Sequence, residues 1–271
     1  MPQLFPTNPS ELMVIRNVTP SIVTMSLPFA RFGILRFGGR GTLVKLSTGS
    51  LAVFSPVSLT PEVRAEVDSL GGNVRYIVAL DLEHHLHITA WKKAFPQAHI
   101  LAPEGLWEKR QSNPEFRDTQ FDHVWKKDVS PPVISEEWDA DFETEYVHGH
   151  GSRELVFLHK PSRTVIEADM LFNLPSKEQY SKTEDHEPLN FATKVVLPLL
   201  SAKSPATWHR RFAWYILSSQ DRDAFTTSVR RIMRWDFDRL IPCHGDVIET
   251  NARSVFQDVM AWFLKEDQKH V

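Results

Sequence analysis

The sequence predicts an α/β fold in which two β-sheets pack face to face and carry helices on their outer sides, an αββα sandwich. The main observation is that each half of the chain runs apolar strand segments first and helical segments after. The second is composition: 42% of the 271 residues are hydrophobic, with 17 Phe and 8 Trp, which is enough for a sizeable core. We expect one domain over residues 1–271, because single domains of this size are common.

Composition and charge also narrow the class of protein. A formal net charge of -3 offers no basic field for phosphate backbones, which argues against general nucleic-acid binding. The N-terminal residues lack a basic segment followed by an apolar one, and no stretch approaches 18 apolar residues. The single cysteine, Cys243, excludes an internal disulfide. We therefore expect a cytoplasmic protein that stays out of membranes and acts on a small molecule.

The first half begins with segments that predict strands, at 12–19, 21–29, 41–47 and 51–56. Thr60 before Pro61 is a good N-cap and Gly71 is a stop signal, so a helix is expected between them. A buried strand (VRYIVAL), a helix (ITAWKKAF), a strand (AHILAP) and a helical turn (PEGLWEKR) follow. From residue 113 to 139, the Pro-rich and charged sequence predicts a loop with one short strand around HVW.

The second half repeats this order. FETEYV, ELVFLHK and TVIEADMLF predict strands, and the polar segment LPSKEQYSKTEDHEPLN has the composition of a lid. Two helices follow, SPATWHRRFAWYILSS and one that opens on Asp221 with an apolar face. The strand DRLIPC and the helix ARSVFQDVMAWFLK close the half. The aromatic-rich first helix is compatible with a pocket wall or a homodimer interface, and its sequence does not separate the two.

Residues of metal-ligand type follow four of the predicted strands. They are Asp81 to His87, then His148 and His150, then Asp169, and finally His244. Imidazole and carboxylate groups bind zinc and divalent iron or manganese, and a catalytic centre needs at least three of them and an open position for water. One histidine after a strand would mean little, but four such places in order indicate a metal site.

Three of these places carry motifs of a known superfamily. GHGSRELVF contains His150, EADMLF contains Asp169 and PCHGD contains His244. Together with EHHLHI, they resemble in chain order the motifs of the metallo-β-lactamase fold superfamily. The segments SPVSLTPEV, FPQAHILAP and WDFDRLIPCHG are more closely similar to a branch of it that is a domain of unknown function. The resemblance covers residues 10–265 and implies the same αββα sandwich.

The first motif of the superfamily, H-x-H-x-D-H, is degenerate in this sequence. If His84 takes the last histidine place, the earlier places fall on Ala79, Asp81 and Glu83, and one ligand is lost. This register keeps ITAWKKAF available as the following helix.

The competing register puts His87 last and His84 in the second histidine place. Leu82 and Leu86 then occupy the first histidine and the aspartate, so two ligands are lost. We favour the register that ends on His84, in which His85 and His87 are not ligands.

The resemblance implies two metal positions, and alanine cannot ligate. The first would use Ala79, Asp81 and His150, and the second would use Glu83, His84 and His244, with Asp169 as a bridge. One divalent metal in the second position is therefore the expectation, with Asp81 and His150 available for a weak second site. His148 lies on the same side of an extended segment as His150 and could replace it. Zn²⁺ is the preferred ion, and three carboxylates among the candidates keep Fe²⁺ and Mn²⁺ open.

The implied activity is metal-assisted hydrolysis of a small ester, lactone, amide or phosphoester. A bound divalent ion lowers the pKa of its water and polarises the substrate's oxygen. In this scheme Asp169 orients the water, and Asp81 or Glu83 takes its proton.

Two other functions are compatible with the sequence. The loss of a ligand at Ala79 would suit a protein that kept the sandwich and became a binding or scaffold module. A carboxylate in the second place of the first motif, here Asp81, also occurs in oxygen-reducing di-iron members of the superfamily, although no flavin domain is attached to this sequence. Retention of ligand types at Glu83, His84, Asp169 and His244 favours the hydrolase.

Overall fold

The computed structural model describes residues 4–116, 121–183 and 191–265. The strands in this part are β1 (Val14–Thr19), β2 (Ile22–Leu27), β3 (Ala30–Arg31), β4 (Leu35–Arg36), β5 (Gly39–Lys45), β6 (Leu51–Phe54), β7 (Val74–Val78), β8 (His99–Pro103), β9 (His123–Trp125), β10 (Phe142–Val147), β11 (Glu154–His159), β12 (Thr164–Ile166) and β13 (Arg239–Ile241). The helices are α1 (Pro9–Leu12), α2 (Pro61–Ser69), α3 (Ile88–Ala94), α4 (Leu106–Gln111), α5 (Glu136–Asp141), α6 (Phe191–Leu199), α7 (Thr207–Phe212), α8 (Arg222–Ile232), α9 (Ala252–Val259) and α10 (Ala261–Leu264). A 3₁₀ turn spans Pro114–Phe116, and a π-helical turn over Ala213–Leu217 continues α7.

The described strands form two large sheets and a small hairpin. The larger sheet has the order β1-β2-β5-β6-β7-β8-β9, antiparallel up to β6 and parallel from β6 onward. The smaller sheet has the order β10-β11-β12-β13, in which only β12 and β13 run parallel. Strands β3 and β4 pair with each other as a hairpin beside the sheets.

Three apolar layers hold the elements together. The middle layer joins the two sheets and includes Phe54 from the larger sheet and Phe157 from the smaller one, whose ring centroids are 5.1 Å apart. A second layer packs α2 and α3 on the outer face of the larger sheet, around the fully buried Trp91. A third packs α8, α9 and α10 on the smaller sheet, around Phe225 and Phe256. Burying one such side chain stabilises the fold by roughly 1.5–3 kcal/mol. The predicted αββα sandwich is confirmed.

Local signals in the sequence account for the helix starts. The Thr60 hydroxyl accepts from the backbone N–H of Val63 and caps α2, with Pro61 in the first turn. The Asp221 carboxylate accepts from the N–H of Ala224 and caps α8. Both predicted caps are therefore confirmed.

The segments expected to be loops contain more structure than predicted. Helix α5 begins inside the segment expected to be loop plus one strand and ends two residues beyond it, and Ser135 caps it by accepting from Trp138 N–H. Helix α6 was not predicted, because Pro198 interrupts its pattern near its C-terminus. The β3–β4 hairpin was not predicted either, since strands of two residues leave no periodicity to read. Part of the lid-like segment, residues 184–190, lies outside the described residues.

The ends of four strands bring the ligand-type residues to one edge of the sandwich. β7, β10, β12 and β13 each end a few residues before a histidine or aspartate that was singled out in the sequence. In the described part of the chain, no helix has the length and apolar character needed to cross a bilayer. That residues 1–271 form a single domain stays a prediction.

Candidate metal centre

The loop after β7 is organised by the carboxylate of Asp81. This fully buried side chain accepts from the backbone N–H groups of Glu83 (2.8 Å) and His84 (2.7 Å). Aspartate commonly forms such a turn, in which its carboxylate binds backbone N–H groups two and three residues later in the chain. Its Oδ1 also accepts from Nδ1 of His84 at 2.9 Å, and its Oδ2 accepts from the Ser152 hydroxyl at 2.9 Å. Asp81 therefore fixes both the backbone and the imidazole of His84.

His84, Asp169 and His244 converge on one point. Each offers one ligand atom, and these atoms lie within 4.8 Å of one another. Nε2 of His84 is 3.1 Å from Nε2 of His244, which is 3.4 Å from Oδ1 of Asp169. These are the His84, Asp169 and His244 of the sequence-based prediction, and they could hold a metal ion.

Hydrogen bonds on the far side of each ring determine where its second nitrogen points. Nδ1 of His244 lies 2.5 Å from the carbonyl oxygen of Gly38, which can only accept, so Nδ1 carries a hydrogen and Nε2 presents a lone pair. Nδ1 of His84 likewise donates to Asp81. Both Nε2 atoms are therefore directed toward the convergence point, the arrangement found in metal-binding histidines.

The two imidazoles titrate very differently without a metal. Burial lowers the pKa of His84, but the carboxylates of Asp81 and Asp169 outweigh this effect and raise it to about 9. Burial lowers the pKa of His244 to about 4. At neutral pH, His84 therefore donates its Nε2 hydrogen to the lone pair of His244 Nε2.

The loop that carries His244 is held from below by Arg40. This fully buried guanidinium donates from Nη1 to the carbonyl oxygens of Pro242 (2.7 Å) and Gly245 (2.6 Å), on either side of His244. Its Nη2 pairs with Glu178 at 3.2 Å. Gly245 has φ +94°, and a Cβ there would lie 2.2 Å from the carbonyl oxygen of Asn173, so glycine is required.

The loop that carries Asp169 is held by Glu154, another fully buried residue. Its carboxylate accepts from the backbone N–H groups of Ala168 (2.7 Å) and Asp169 (3.0 Å). Burial, followed by the charges of Asp81 and Asp169, raises the pKa of Glu154. Oδ1 of Asp169 is itself buried and accepts no hydrogen bond from any described residue. A buried acceptor without a donor beside two imidazole nitrogens is well suited to a cation.

Two other predicted residues lie near this group without joining it. The Glu83 carboxylate turns outward and pairs with Lys109 Nζ at 2.7 Å, with 46% of its side chain exposed. His150 is buried, and Ser152 links it to Asp81. The Ser152 hydroxyl donates to Asp81 and lies 2.8 Å from Nδ1 of His150. The structure therefore brings together His84, Asp169 and His244, with Asp81 behind His84, and it does not bring Glu83 or His150 into the group.

The remaining histidines of the quoted motifs have other surroundings. His85 accepts from Arg110 at 2.9 Å, since burial and this guanidinium lower its pKa to about 4 and leave it neutral. His87 packs edge-on against Phe5. His148 is half-buried beside Tyr146, and neither it nor His150 supplies an atom to the converging group.

Ala79 occupies the place where the superfamily motif has its first histidine. It is fully buried, and its methyl group belongs to the apolar layer beneath α2 and α3. The position therefore serves packing, and the described chain offers no ligand there.

Two cavities adjoin the converging group. One, of about 420 Å³, is lined by His84 and His244 and by aromatic residues that include Phe5 and Phe29. The other, of about 480 Å³, is lined by Asp169 and His150 at one end and by apolar side chains elsewhere. Glu83 and Arg31 line both cavities, which makes them neighbouring parts of one cleft.

Two of the distances in the group fit a small divalent cation. Ligand atoms of a tetrahedral zinc site are about 3.3 Å apart, because each Zn–N or Zn–O bond is roughly 2.0–2.2 Å long. The two shortest separations here, 3.1 Å and 3.4 Å, match that edge. Two imidazoles and one carboxylate also form a donor set known from zinc hydrolases, with a fourth position left for water.

Several residues that build the site were not predicted from the sequence. Arg40 and Glu154 hold the two ligand loops, and Ser152 links Asp81 to His150. A glutamate opening the buried strand ELVFLH and an arginine within GGRGT are charges in apolar surroundings, and this was the signal available for them.

The comparisons with known proteins agree with the fold. The family model described as "Domain of unknown function (DUF4336)" matches residues 35–215. No curated protein matches the chain at a significant level. The match to the family model spans the loop of His84 and the loop of Asp169 and ends before His244.

Solved structures with a similar fold include metallo-β-lactamases and flavo di-iron proteins. DIM-1 metallo-beta-lactamase exposed to ceftazidime aligns with a TM-score of 0.58 and 14% identity, covering 93% of this chain and 96% of that one. A metallo-beta-lactamase from Pontibacter korlensis aligns with a TM-score of 0.56 and 9% identity, covering 94% and 100%. A mutant flavo di-iron protein from Thermotoga maritima aligns with a TM-score of 0.57 and 11% identity, covering 93% of this chain and 61% of that one. At these identities the likeness establishes the metallo-β-lactamase fold.

Proposed function

The chain belongs to the DUF4336 family and has the metallo-β-lactamase fold, and from this premise we propose that it is a metal-dependent hydrolase of a small ester, lactone, amide or phosphoester. The observation that carries the proposal is the pair of Nε2 atoms of His84 and His244, 3.1 Å apart and each oriented by a hydrogen bond at Nδ1. Two imidazoles oriented in this way suit a shared cation.

His84, Asp169 and His244 would hold one divalent ion, for which we propose zinc. When bound, such an ion supplies a water of lowered pKa as nucleophile and polarises the substrate's carbonyl or phosphoryl oxygen. The buried Asp169 Oδ1, which accepts no hydrogen bond from any described residue, would be one ligand of this ion. His84 releases its Nε2 proton when the ion binds, whereas Asp81 keeps the Nδ1 hydrogen bond and the ring orientation.

Glu83 is the proposed proton acceptor. It borders both cavities and is exposed enough to exchange protons with solvent. Lys109 donates to its carboxylate at 2.7 Å and so orients it at the edge of the cleft. Asp81 is enclosed by its donors on the far side of His84, so we assign it the positioning of that ring in place of proton transfer.

Metal content tests the proposal most directly. Protein purified without added metal, and again after incubation with Zn²⁺ and desalting, is analysed by inductively coupled plasma mass spectrometry. We expect about one equivalent of Zn²⁺, as for a site with three protein ligands, and loss of uptake in His84→Ala and His244→Ala. His99→Ala is the matched control, because His99 lies outside the group and 45% of its side chain is exposed.

Activity is then measured on a chromogenic aryl ester, an aryl phosphoester and a lactone. The hydrolase is supported if a chelator abolishes hydrolysis and zinc restores it. Glu83→Gln should slow hydrolysis by about 100-fold, which is within the usual range for a general base. Metal uptake below a tenth of an equivalent overturns the hydrolase and favours the binding or scaffold module. Two equivalents of iron with no hydrolysis would favour the di-iron alternative.

A further inference from the structure

Arg31 has an unusual position beside the candidate metal centre. It lies in the β3–β4 hairpin, and its half-buried side chain lines both cavities of the cleft. Among the described residues, no carboxylate comes within ion-pair distance of its guanidinium, whose recorded contact is the ring of Phe32 at 5.5 Å. A half-buried guanidinium that faces a cleft and has no carboxylate beside it is suited to bind an anionic ligand.

The other cations that line the cleft already have partners. Lys109 donates to the Glu83 carboxylate and to the carbonyl oxygen of Leu82, both at 2.7 Å. Arg40 is enclosed by Glu178 and by the backbone of the His244 loop. Arg31 is therefore the cation of the cleft for which the described residues supply no anionic partner.

The larger cavity has the shape of an apolar chamber. Its apolar walls are formed by Phe172, Leu199, Leu200, Phe212 and Leu217, and its volume is about 480 Å³. The polar residues Asp169, His150, Glu83 and Arg31 line the same cavity. A pocket that is mostly apolar with a few polar groups selects a ligand that is itself apolar with one polar group.

We propose that the substrate of this site is an amphipathic oxyanion, whose carboxylate or phosphate binds Arg31 and whose acyl or aryl group occupies the apolar chamber. The proposal rests on the proposed function only for the bond that is broken at the metal centre. A planar guanidinium binds either oxyanion through two parallel hydrogen bonds, and lysine at the same place would bind through a single point charge.

Calorimetric titration tests the proposal on purified protein, both metal-loaded and stripped with a chelator. The probes are octanoate, octyl phosphate and neutral 1-octanol. Arg31→Gln is expected to lower the affinity for both anions at least tenfold, which is about the loss of one charge-assisted hydrogen bond, and to leave the affinity for octanol unchanged. Arg31→Lys should retain part of the affinity for the anions. Arg64→Gln removes the same charge from an exposed position on α2 and should change nothing.

Further probes separate the two anions and the two halves of the proposal. If Arg31→Gln lowers the affinity for octanoate alone, the natural group is a carboxylate. If it lowers the affinity for octyl phosphate alone, the natural group is a phosphate. Octanoate that binds no tighter than acetate overturns the apolar chamber. Equal losses for octanol and the anions, or none for Arg31→Gln, overturn the role of Arg31. Because the stripped protein is titrated as well, failure to bind metal would overturn the hydrolase without deciding this result.

Discussion

Nε2 of His84 lies 3.1 Å from Nε2 of His244, although the two residues are 160 positions apart in the chain. Each ring is fixed at Nδ1 by a different acceptor, Asp81 for one and the carbonyl oxygen of Gly38 for the other. The separation therefore depends on loops from both sheets. Each loop is supported by buried polar groups, so the site should respond to changes in residues that never touch a metal.

Asp81→Asn should weaken metal binding by about 10- to 100-fold, the usual cost of removing a carboxylate behind a ligating histidine. The amide would place an NH₂ group where the carboxylate accepts hydrogen bonds, and the His84 ring would lose its orientation. Competition with a chromophoric chelator measures the affinity. Ser152→Ala, which removes the hydrogen bond to Oδ2 and the contact with Nδ1 of His150 but keeps the Asp81–His84 bond, should have a smaller effect. Unchanged affinity in Asp81→Asn would contradict the assigned role.

Gly245→Ala should unfold more easily than Gly49→Ala. The two glycines have nearly the same φ, +94° and +93°, so the backbone penalty of about 1–2 kcal/mol is common to both. At Gly49 an added Cβ meets nothing within 4 Å, whereas at Gly245 it meets the backbone of Asn173 at 2.2 Å. Urea denaturation should give the larger loss for Gly245→Ala, together with weaker metal binding. An equal loss of unfolding free energy in the two variants would show that the loop around Gly245 accommodates the added Cβ without strain.

Arg40→Met should lower the free energy of unfolding by roughly 3–5 kcal/mol, the range for breaking a buried ion pair from one side. Glu178 loses a partner, and the carbonyl groups of Pro242 and Gly245 lose their donors. Chemical denaturation of the metal-free protein measures the change. Arg16→Met is a useful comparison, because Arg16 pairs with the same Glu178 at 2.7 Å from a more exposed position. A similar loss in both variants would argue against a special role of Arg40 in the His244 loop.

Stability should fall as the pH drops from 6.5 toward 4, in part because of His209. Burial lowers the pKa of this histidine from 6.5 to about 4, so the unfolded chain takes up a proton before the folded chain does. The stability contributed by neutral His209 is thus present above pH 6.5 and lost as the pH falls through this window. His209→Asn should reduce the slope of unfolding free energy against pH by up to one proton, about 1.4 kcal/mol per pH unit. An unaltered slope in His209→Asn would refute the assignment.

Much of the fold could be predicted because its signals are local. The caps Thr60 and Asp221, the alternation of strand and helix segments, and the ligand-type residues after strand ends are all visible within a few positions. Helix α6 and the β3–β4 hairpin could not be predicted in this way, since their short or Pro-interrupted patterns are stabilised by packing against each other.

The candidate site was predictable in its residue types and only partly in its geometry. Glu83 and His84 are adjacent in sequence, yet Lys109 draws the Glu83 side chain outward while Asp81 turns the His84 ring inward. No spacing rule distinguishes these two orientations, because each depends on a partner from another part of the fold.

The sequence by itself determined the sandwich, the order of its elements and the places where ligands could stand, because strand and helix periodicity are written in neighbouring residues. Only the tertiary structure decided that His84, Asp169 and His244 meet, that Glu83 borders the cleft, and that Arg31 lines it without a carboxylate partner among the described residues. Such relationships depend on contacts between distant segments and on buried hydrogen bonds, whose geometry exists only once the two sheets have packed together.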